Sequence, residues 1–344
     1  MRAVQKVRPE FGLDLREVPE PDAPLADEVI VSVAATGVCG TDLHIYEWTP
    51  GYEAMTQCMP VTLGHEFSGV IASVGSSVRG LDVGTLVAVR PSVVCGRCAA
   101  CRDGRPDDCS HRTGLGVTRD GALARVVRVP AENCMPVPRG MDPHIAALTE
   151  PMTVSAEAVD TGEVQPGSRV LILGPGNIGQ GAALFAREAG AARIVIAGKR
   201  DAPRLDVLRT MGFHDTVDTG ERSLLDALAP YLADGKFDVV IEATGSPAVV
   251  QPALDVLRRR GILVVVGIHA KPASIDLTRL VRAHQQIRGS YRAPLATWPR
   301  VIAFLQRNAD LVSNMITHRL PLDRAVEGIE LSRTRSASKV LIVP

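Results

Sequence analysis

Four of the seven cysteines, Cys95, Cys98, Cys101 and Cys109, stand within fifteen residues in the spacing C-x2-C-x2-C-x7-C. Four thiolates so spaced can close a tetrahedral zinc site, which adds folding energy and leaves no coordination position open. An iron–sulfur run starts in the same way but finishes C-x3-C-P, whereas here seven residues intervene and Ser110 follows Cys109. Arg97, Arg102, Asp103, Arg105, Asp107 and Asp108 surround the quartet, a poor setting for buried apolar thiols. The quartet is assigned to structural zinc.

A second constellation is dispersed. It comprises Cys39-Gly40-Thr41-Asp42-Leu43-His44, then Gly64-His65-Glu66, then Glu150 within Leu148-Thr149-Glu150-Pro151. Cysteine, histidine and carboxylate are suitable zinc ligands, and three of them leave a position for water or substrate. Taken singly, Cys39 reads as a buried thiol and His65 as a core histidine. Their company favours a site, with the Glu150 carboxylate just before the domain transition, where a catalytic cleft is expected.

The segment Leu173–Gly179, LGPGNIG, follows an apolar strand and opens a helix. Gly174, Gly176 and Gly179 permit a tight turn, close approach to a pyrophosphate and close helix–strand packing. The first helical N–H groups, from Asn177 and Ile178 onward, then face the phosphates. An acidic residue at the end of the next strand would select NAD through the ribose 2′-hydroxyl. Here that stretch reads Ala197-Gly198-Lys199-Arg200-Asp201, with Arg204 following. Lys199 and Arg200 suit a 2′-phosphate, so NADP is favoured over NAD. The alternative is a solvated loop in which Asp201 or a backbone group serves the ribose.

These side chains need elements to carry them. Across the first ~150 residues, Glu28–Ala34, Phe67–Val74 and Leu86–Val89 are β-rich runs flanked by turn residues, so an antiparallel, barrel-like domain is expected. From Ser168 to about Ser290, the strands Arg169–Leu173, Ala192–Ala197, Phe237–Glu242 and Ile262–Val266 alternate with helices Ile178–Ala189 and Arg204–Met211. Continuous apolar strands separated by helices predict an α/β, doubly wound parallel sheet. The tail carries helical stretches Trp298–Arg307 and Leu322–Arg333, then a strand Lys339–Val343 expected to return to the first domain.

Composition narrows the function. With 344 residues the chain has room for about two domains. The 38 basic and 38 acidic side chains balance, which argues against nucleic-acid or membrane-surface partners. Aromatics are 3%, too few for stacking platforms. No apolar run approaches the ~20 residues of a membrane span, and MRAVQKVRPEFGLDL lacks a signal-peptide core, so a cytoplasmic enzyme is expected.

Taken in order, GVCGTDLH, LGHEFSG, the cysteine quartet, TEP and LGPGNIGQG resemble the zinc-containing medium-chain alcohol/polyol dehydrogenase family. The resemblance spans nearly the whole chain. It implies a GroES-like catalytic domain over residues 1–155 with both zinc sites, a Rossmann coenzyme domain over 156–290, and a segment 291–344 rejoining the first. It implies catalytic zinc on Cys39, His65 and Glu66, with Glu150 as a direct or water-mediated fourth partner. It maps Thr41 and His44 onto a proton relay, and Glu242-Ala243-Thr244-Gly245 and Val266-Gly267-Ile268 onto loops near the nicotinamide. Dimers or tetramers are the family's habit, so a homo-oligomer is expected.

The implied chemistry interconverts a secondary alcohol and its ketone: zinc acidifies the hydroxyl, Thr41 and His44 carry the proton, and hydride goes to the coenzyme. His44-Ile45-Tyr46-Glu47-Trp48 resembles the matching stretch of L-threonine 3-dehydrogenases, but Ser92 replaces the histidine those enzymes carry three residues before the first quartet cysteine. LGHEFSG and TEPMTVSAEAV lean toward butanediol and polyol members. Tyr46 and Trp48 are expected on the substrate pocket wall, a core role being the alternative. Polyol, vicinal diol and hydroxyamino acid all remain open. A non-catalytic zinc protein that senses a dinucleotide, or a metal-free reductase relative, predicts loss of Cys39 or His65, and both are present.

Overall fold

A computed structural model describes residues 1–344, which divide into two compact units, Met1–Glu150 with Trp298–Pro344, and Pro151–Thr297. No helix is long and apolar enough to cross a membrane.

The first unit is built around the strand Glu28–Gly37, whose Val29, Val31 and Val33 alternate into one core with Phe67, Ile71, Val87 and Val127. That period of two is what a half-buried antiparallel sheet requires. Glu28–Gly37 pairs antiparallel with Glu66–Val74, Val126–Pro130 and Lys339–Val343. Leu86–Val89 and Cys134–Pro136 extend the sheet on one side, and Ile316–Pro321, parallel to Lys339–Val343, closes the other. Val340 and Ile342 enter a second core with Val4, Ile45, Leu63 and Ile329, beneath the helix Ala325–Arg333. The last strand is thus a central member of the sheet that carries Glu66.

The second unit is a six-stranded, wholly parallel sheet in the order Thr216–Asp218, Arg193–Gly198, Arg169–Leu173, Phe237–Glu242, Leu257–Val265, Gln286–Gly289. Numbered along the chain, this is the 3-2-1-4-5-6 order of a doubly wound nucleotide fold. Val170, Leu171 and Ile172 have no exposed surface, as strands covered on both faces demand. The helix Asn177–Glu188 buries Ala182, Ala183 and Ala186, and those small side chains allow it close to the sheet.

Three features depart from the sequence expectation. The two edge strands, Thr216–Asp218 and Gln286–Gly289, were not anticipated; they are short, and the second is mostly exposed. The strand expected from Ile262 begins at Leu257 and runs through the exposed Arg258, Arg259 and Arg260, with a register shift against its neighbour. The stretch expected as one helix from Leu322 to Arg333 is a 3₁₀ turn, Leu322–Arg324, followed by the helix Ala325–Arg333.

Candidate metal centres and coenzyme site

The quartet converges on one point: the sulfurs of Cys95, Cys98, Cys101 and Cys109 all lie within 4.8 Å of one another. Cys98 Sγ and Cys109 Sγ are 3.9 Å apart, close to the ~3.8 Å edge of a tetrahedron with zinc–sulfur bonds of about 2.3 Å. Main-chain N–H groups already point at the thiols, Cys95 N to Cys109 Sγ and Cys98 N to Cys95 Sγ, each at 3.3 Å. N–H donation from Cys101 and Ser110 holds the Cys98 thiol down at about 5, whereas burial pushes Cys101 up to about 12. All seven cysteines are free thiols. The donors fit a structural zinc.

The lobe is pinned to the sheet by Arg90, which donates to Asp107 Oδ1 at 2.7 Å. Cys98→Ser should remove one zinc per chain and lower the melting temperature, because the lobe has little apolar core of its own. A loss of about 3 kcal/mol, at about 2–4 °C per kcal/mol, is a drop of roughly 6–12 °C. A variant melting like the parent would remove the structural-zinc assignment.

The second cluster also closes. Ligand atoms of Cys39, His65 and Glu66 lie within 4.8 Å of one another. Cys39 caps the helix Gly40–Glu47, directly after the strand Glu28–Gly37. Glu66 begins the neighbouring strand, in register with Gly37. A Cβ at Gly37 would stand 2.4 Å from Glu66 Oε2, so glycine makes room for the carboxylate. Burial, reinforced by the Glu66 charge, raises the Cys39 thiol; burial opposes His65 protonation, but Cys39 and Asp42 outweigh it and hold His65 well above its usual value. Glu150, in the first turn of the helix Thr149–Thr161, stands outside the three-ligand group but adds its charge to His65.

Two partners of this cluster were not read from the sequence. Asp42, 1% exposed, accepts from Cys39 N at 2.9 Å through Oδ2, and its Oδ1 lies 3.7 Å from His65 Nδ1. Both Asp42 Oδ1 and His65 Nδ1 are buried without a hydrogen-bond partner. Asp42 therefore faces the ring's Nδ1 side, the arrangement in which a carboxylate orients a metal-ligating imidazole. Its signal was its place, N3 of the helix that Cys39 caps. The other partner is Lys339, buried on the last strand, whose Nζ pairs with Glu66 Oε2 and donates to Val38 O at 2.9 Å. A lysine opening the apolar run KVLIV was the available clue.

Thr41 and His44 sit one turn apart on the same helix, so they share a face. His44 Nδ1 is 3.1 Å from Thr49 Oγ1 and its ring stacks on Tyr52, while burial lowers its pKa. Tyr46, expected on the pocket wall, is instead a core residue: it is 6% exposed and its hydroxyl donates to Glu330 Oε1 at 2.7 Å. Trp48 packs against the same core, with the Lys6 ammonium 5.3 Å over its ring. The helix turns Tyr46 inward beside Ile45, whereas Trp48, just outside it, reaches the core from the left-handed C-cap position at φ +54°.

In the second unit, Gly176 caps the helix Asn177–Glu188 directly after the strand Arg169–Leu173. A Cβ at Gly179 would meet Gly174 O at 1.9 Å, which is why the turn needs glycine there. Asn177 Oδ1 is buried beside this turn without a hydrogen-bond partner. Arg204 reaches the turn, its Nη1 only 3.2 Å from where a Cβ on Gly176 would stand. Buried Asp201 holds that guanidinium with both oxygens, one at 2.7 Å from Nε. Arg200, with φ +50°, pairs with Glu221, while Lys199 is exposed without an ion-pair partner. The loops of Thr244–Gly245 and Gly267–Ile268 are joined through Glu242, to which Thr244 N, Gly245 N and Gly267 N all donate.

Residues 25–139 match the alcohol dehydrogenase GroES-like domain, and residues 177–307 match the zinc-binding dehydrogenase domain. The chain belongs to the zinc-dependent alcohol dehydrogenase family. L-threonine 3-dehydrogenase of Saccharopolyspora erythraea is 37% identical over 99% of this chain and 98% of its own length. Among solved structures, a zinc-binding dehydrogenase from Sinorhizobium meliloti bound to NADP superposes with a TM-score of 0.87 at 30% identity, covering 100% of this chain and 99% of that one. An alcohol dehydrogenase from Escherichia coli complexed with NADH gives 0.87 at 28% identity, with the same coverage. As a family member the chain is a zinc-dependent, NAD(P)-linked oxidoreductase of secondary alcohols.

Proposed function

We propose that the chain interconverts a secondary alcohol bearing a neighbouring polar group (a polyol, vicinal diol or hydroxyamino acid) with its ketone, using NADP in preference to NAD. The observation that carries this reading is the open set Cys39, His65 and Glu66, on a chain whose parallel sheet also bears the dinucleotide turn. Cys39, His65 and Glu66 would hold the catalytic zinc, with Glu150 beside them, and the cysteine quartet a structural zinc. When bound, zinc supplies Lewis acidity toward the hydroxyl and the nicotinamide supplies the hydride acceptor.

The chain's own residues supply the rest. The Thr41 hydroxyl takes the alcohol proton and His44, one turn further, passes it on. Burial favours the neutral imidazole, so His44 can accept a proton near pH 7. Main-chain N–H groups at Asn177–Gly179 and the Arg204 guanidinium would receive the pyrophosphate; Lys199, with Arg200 once released from Glu221, would receive a 2′-phosphate.

A panel of polyols, diols and L-threonine, assayed with both coenzymes in parallel, tests the reading. Turnover of none of these classes would remove it. The Saccharopolyspora relative favours a second reading, L-threonine itself, against which stands Ser92 in place of the histidine of those enzymes. Coenzyme choice has its own test. Replacing Lys199 with Asp and Arg200 with Ala removes charge-assisted contacts worth about 1.5–3 kcal/mol, so the KM for NADP should rise about 10- to 150-fold while that for NAD changes little. Equal small changes would identify a solvated loop and favour NAD.

The protein is further read as a cytoplasmic homo-oligomer. Its free thiols suit a reducing compartment. The edge strand Gln286–Gly289, with Ile287, Val281 and Leu277 exposed nearby, offers a pairing surface to a second copy.

A further inference from the structure

One buried carboxylate ties together the two loops assigned above to the nicotinamide end. Glu242 ends the strand Phe237–Glu242 and has no exposed surface. Its Oε1 accepts from Thr244 N at 2.6 Å, Thr244 Oγ1 at 2.5 Å and Gly245 N at 2.9 Å. Its main-chain carbonyl accepts from Val266 N at 2.9 Å and Gly267 N at 3.1 Å. The remaining oxygen, Oε2, faces His269 Nε2 at 3.0 Å.

The loops themselves meet without slack. A Cβ at Gly267 would stand 2.2 Å from Gly245 N and 2.7 Å from Glu242 Oε2. A Cβ at Gly245 would stand 2.5 Å from Ile268 O. The backbone around Thr244 and Ile268 is thus fixed through Glu242, and the Glu242 side chain is fixed on its free side by His269. Without that donor a buried carboxylate oxygen has no partner; the carboxylate must turn to find one, which loosens the Thr244–Gly245 loop held by its other oxygen and unties the side chain from the Gly267–Ile268 loop that His269 follows.

We propose that His269 is a positioning residue for the coenzyme: by donating Nε2–H to Glu242 it holds the Thr244–Gly245 and Gly267–Ile268 loops in the shape that receives the nicotinamide half. The inference rests on the coenzyme reading above. It assigns His269 no contact with substrate or dinucleotide, since its outer nitrogen, Nδ1, is itself buried.

Equilibrium titration of the zinc-loaded protein with NADPH and NADH, followed by nicotinamide fluorescence, tests it. ADP-ribose and its 2′-phosphate, used as competitors, lack only the nicotinamide ring and so report binding of the rest of the dinucleotide. His269→Ala should weaken binding of the reduced dinucleotides about tenfold, or about 1.4 kcal/mol, and leave the ADP-ribose compounds within about twofold. His269→Gln, whose amide nitrogen can take the place of Nε2, should recover most of the loss, whereas His269→Asn should not. Unchanged dinucleotide affinity in His269→Ala would overturn the inference. Equal weakening of dinucleotide and ADP-ribose would overturn it too, since it would mark a role in general folding. If the parent protein bound neither, the coenzyme reading itself would fall and the inference with it.

Discussion

Cys39→Ser is expected to reduce turnover by at least about a thousandfold, since Lewis-acid stabilisation is worth several kcal/mol and each 1.36 kcal/mol is a factor of about ten. Metal content should fall from about two zinc per chain to about one, because the closed quartet keeps its ion. The fold should persist. Cys39 N donates to Asp42 Oδ2, a bond that serine keeps, and a serine hydroxyl can take the thiol's place at the head of the helix. Metal analysis, circular dichroism and steady-state rates on one preparation check all three outcomes. Near-normal turnover with one zinc lost would place the reaction elsewhere.

Lys339→Met should have the largest effect on stability. Lys339 is 2% exposed and Glu66 1%, so the substitution leaves a buried carboxylate without its counter-charge. Removing one partner of such a pair typically costs about 3–5 kcal/mol. The loss should be greatest in chelator-treated protein, because bound zinc offers Glu66 a replacement cation. Added zinc should therefore raise the melting temperature of Lys339→Met more than that of the parent. Lys339→Arg should restore most of the stability if volume permits. A chelator-treated Lys339→Met protein that melts like the parent would show that the pair contributes nothing.

The two cases differ in how far the sequence could show them. Cys95 to Cys109 lie in one loop, and Gly174 to Gly179 in one turn, so their spacing is already their geometry. The parallel sheet was legible for a similar reason: strands buried on both faces are apolar without interruption, as Arg169–Leu173 and Phe237–Glu242 are. Cys39, His65 and Glu66 needed the family resemblance, since nothing local joins position 39 to 65. Lys339 was beyond reach, its partner being 273 residues away, as the pairing of the last strand with Glu28–Gly37 requires. His269 escaped because a histidine after a glycine-rich turn is ordinary until its facing carboxylate is seen. Tyr46 was misplaced because an aromatic beside metal ligands suits a wall and a core equally; the Glu330 carboxylate decides it. The edge strands Thr216–Asp218 and Gln286–Gly289 escaped because edges bury little, and so carry little pattern.

The interleaving of the two units bears on how the protein is made. Pro151–Thr297 is continuous in sequence and holds its own six-stranded sheet, so it can fold while synthesis proceeds. The first unit cannot. Its central sheet lacks Lys339–Val343 and Ile316–Pro321 until Trp298–Pro344 has been translated, and until then Glu66 has no ammonium beside it. During that interval Thr36 and Gly37 lack their partners Ile342 and Leu341, and the second core lacks Val340 and Ile342, an unfinished state in which nascent chains are exposed to aggregation and to chaperone capture. Nascent chains stalled before residue 298 should therefore resist proteolysis in the second unit while the first is still cut.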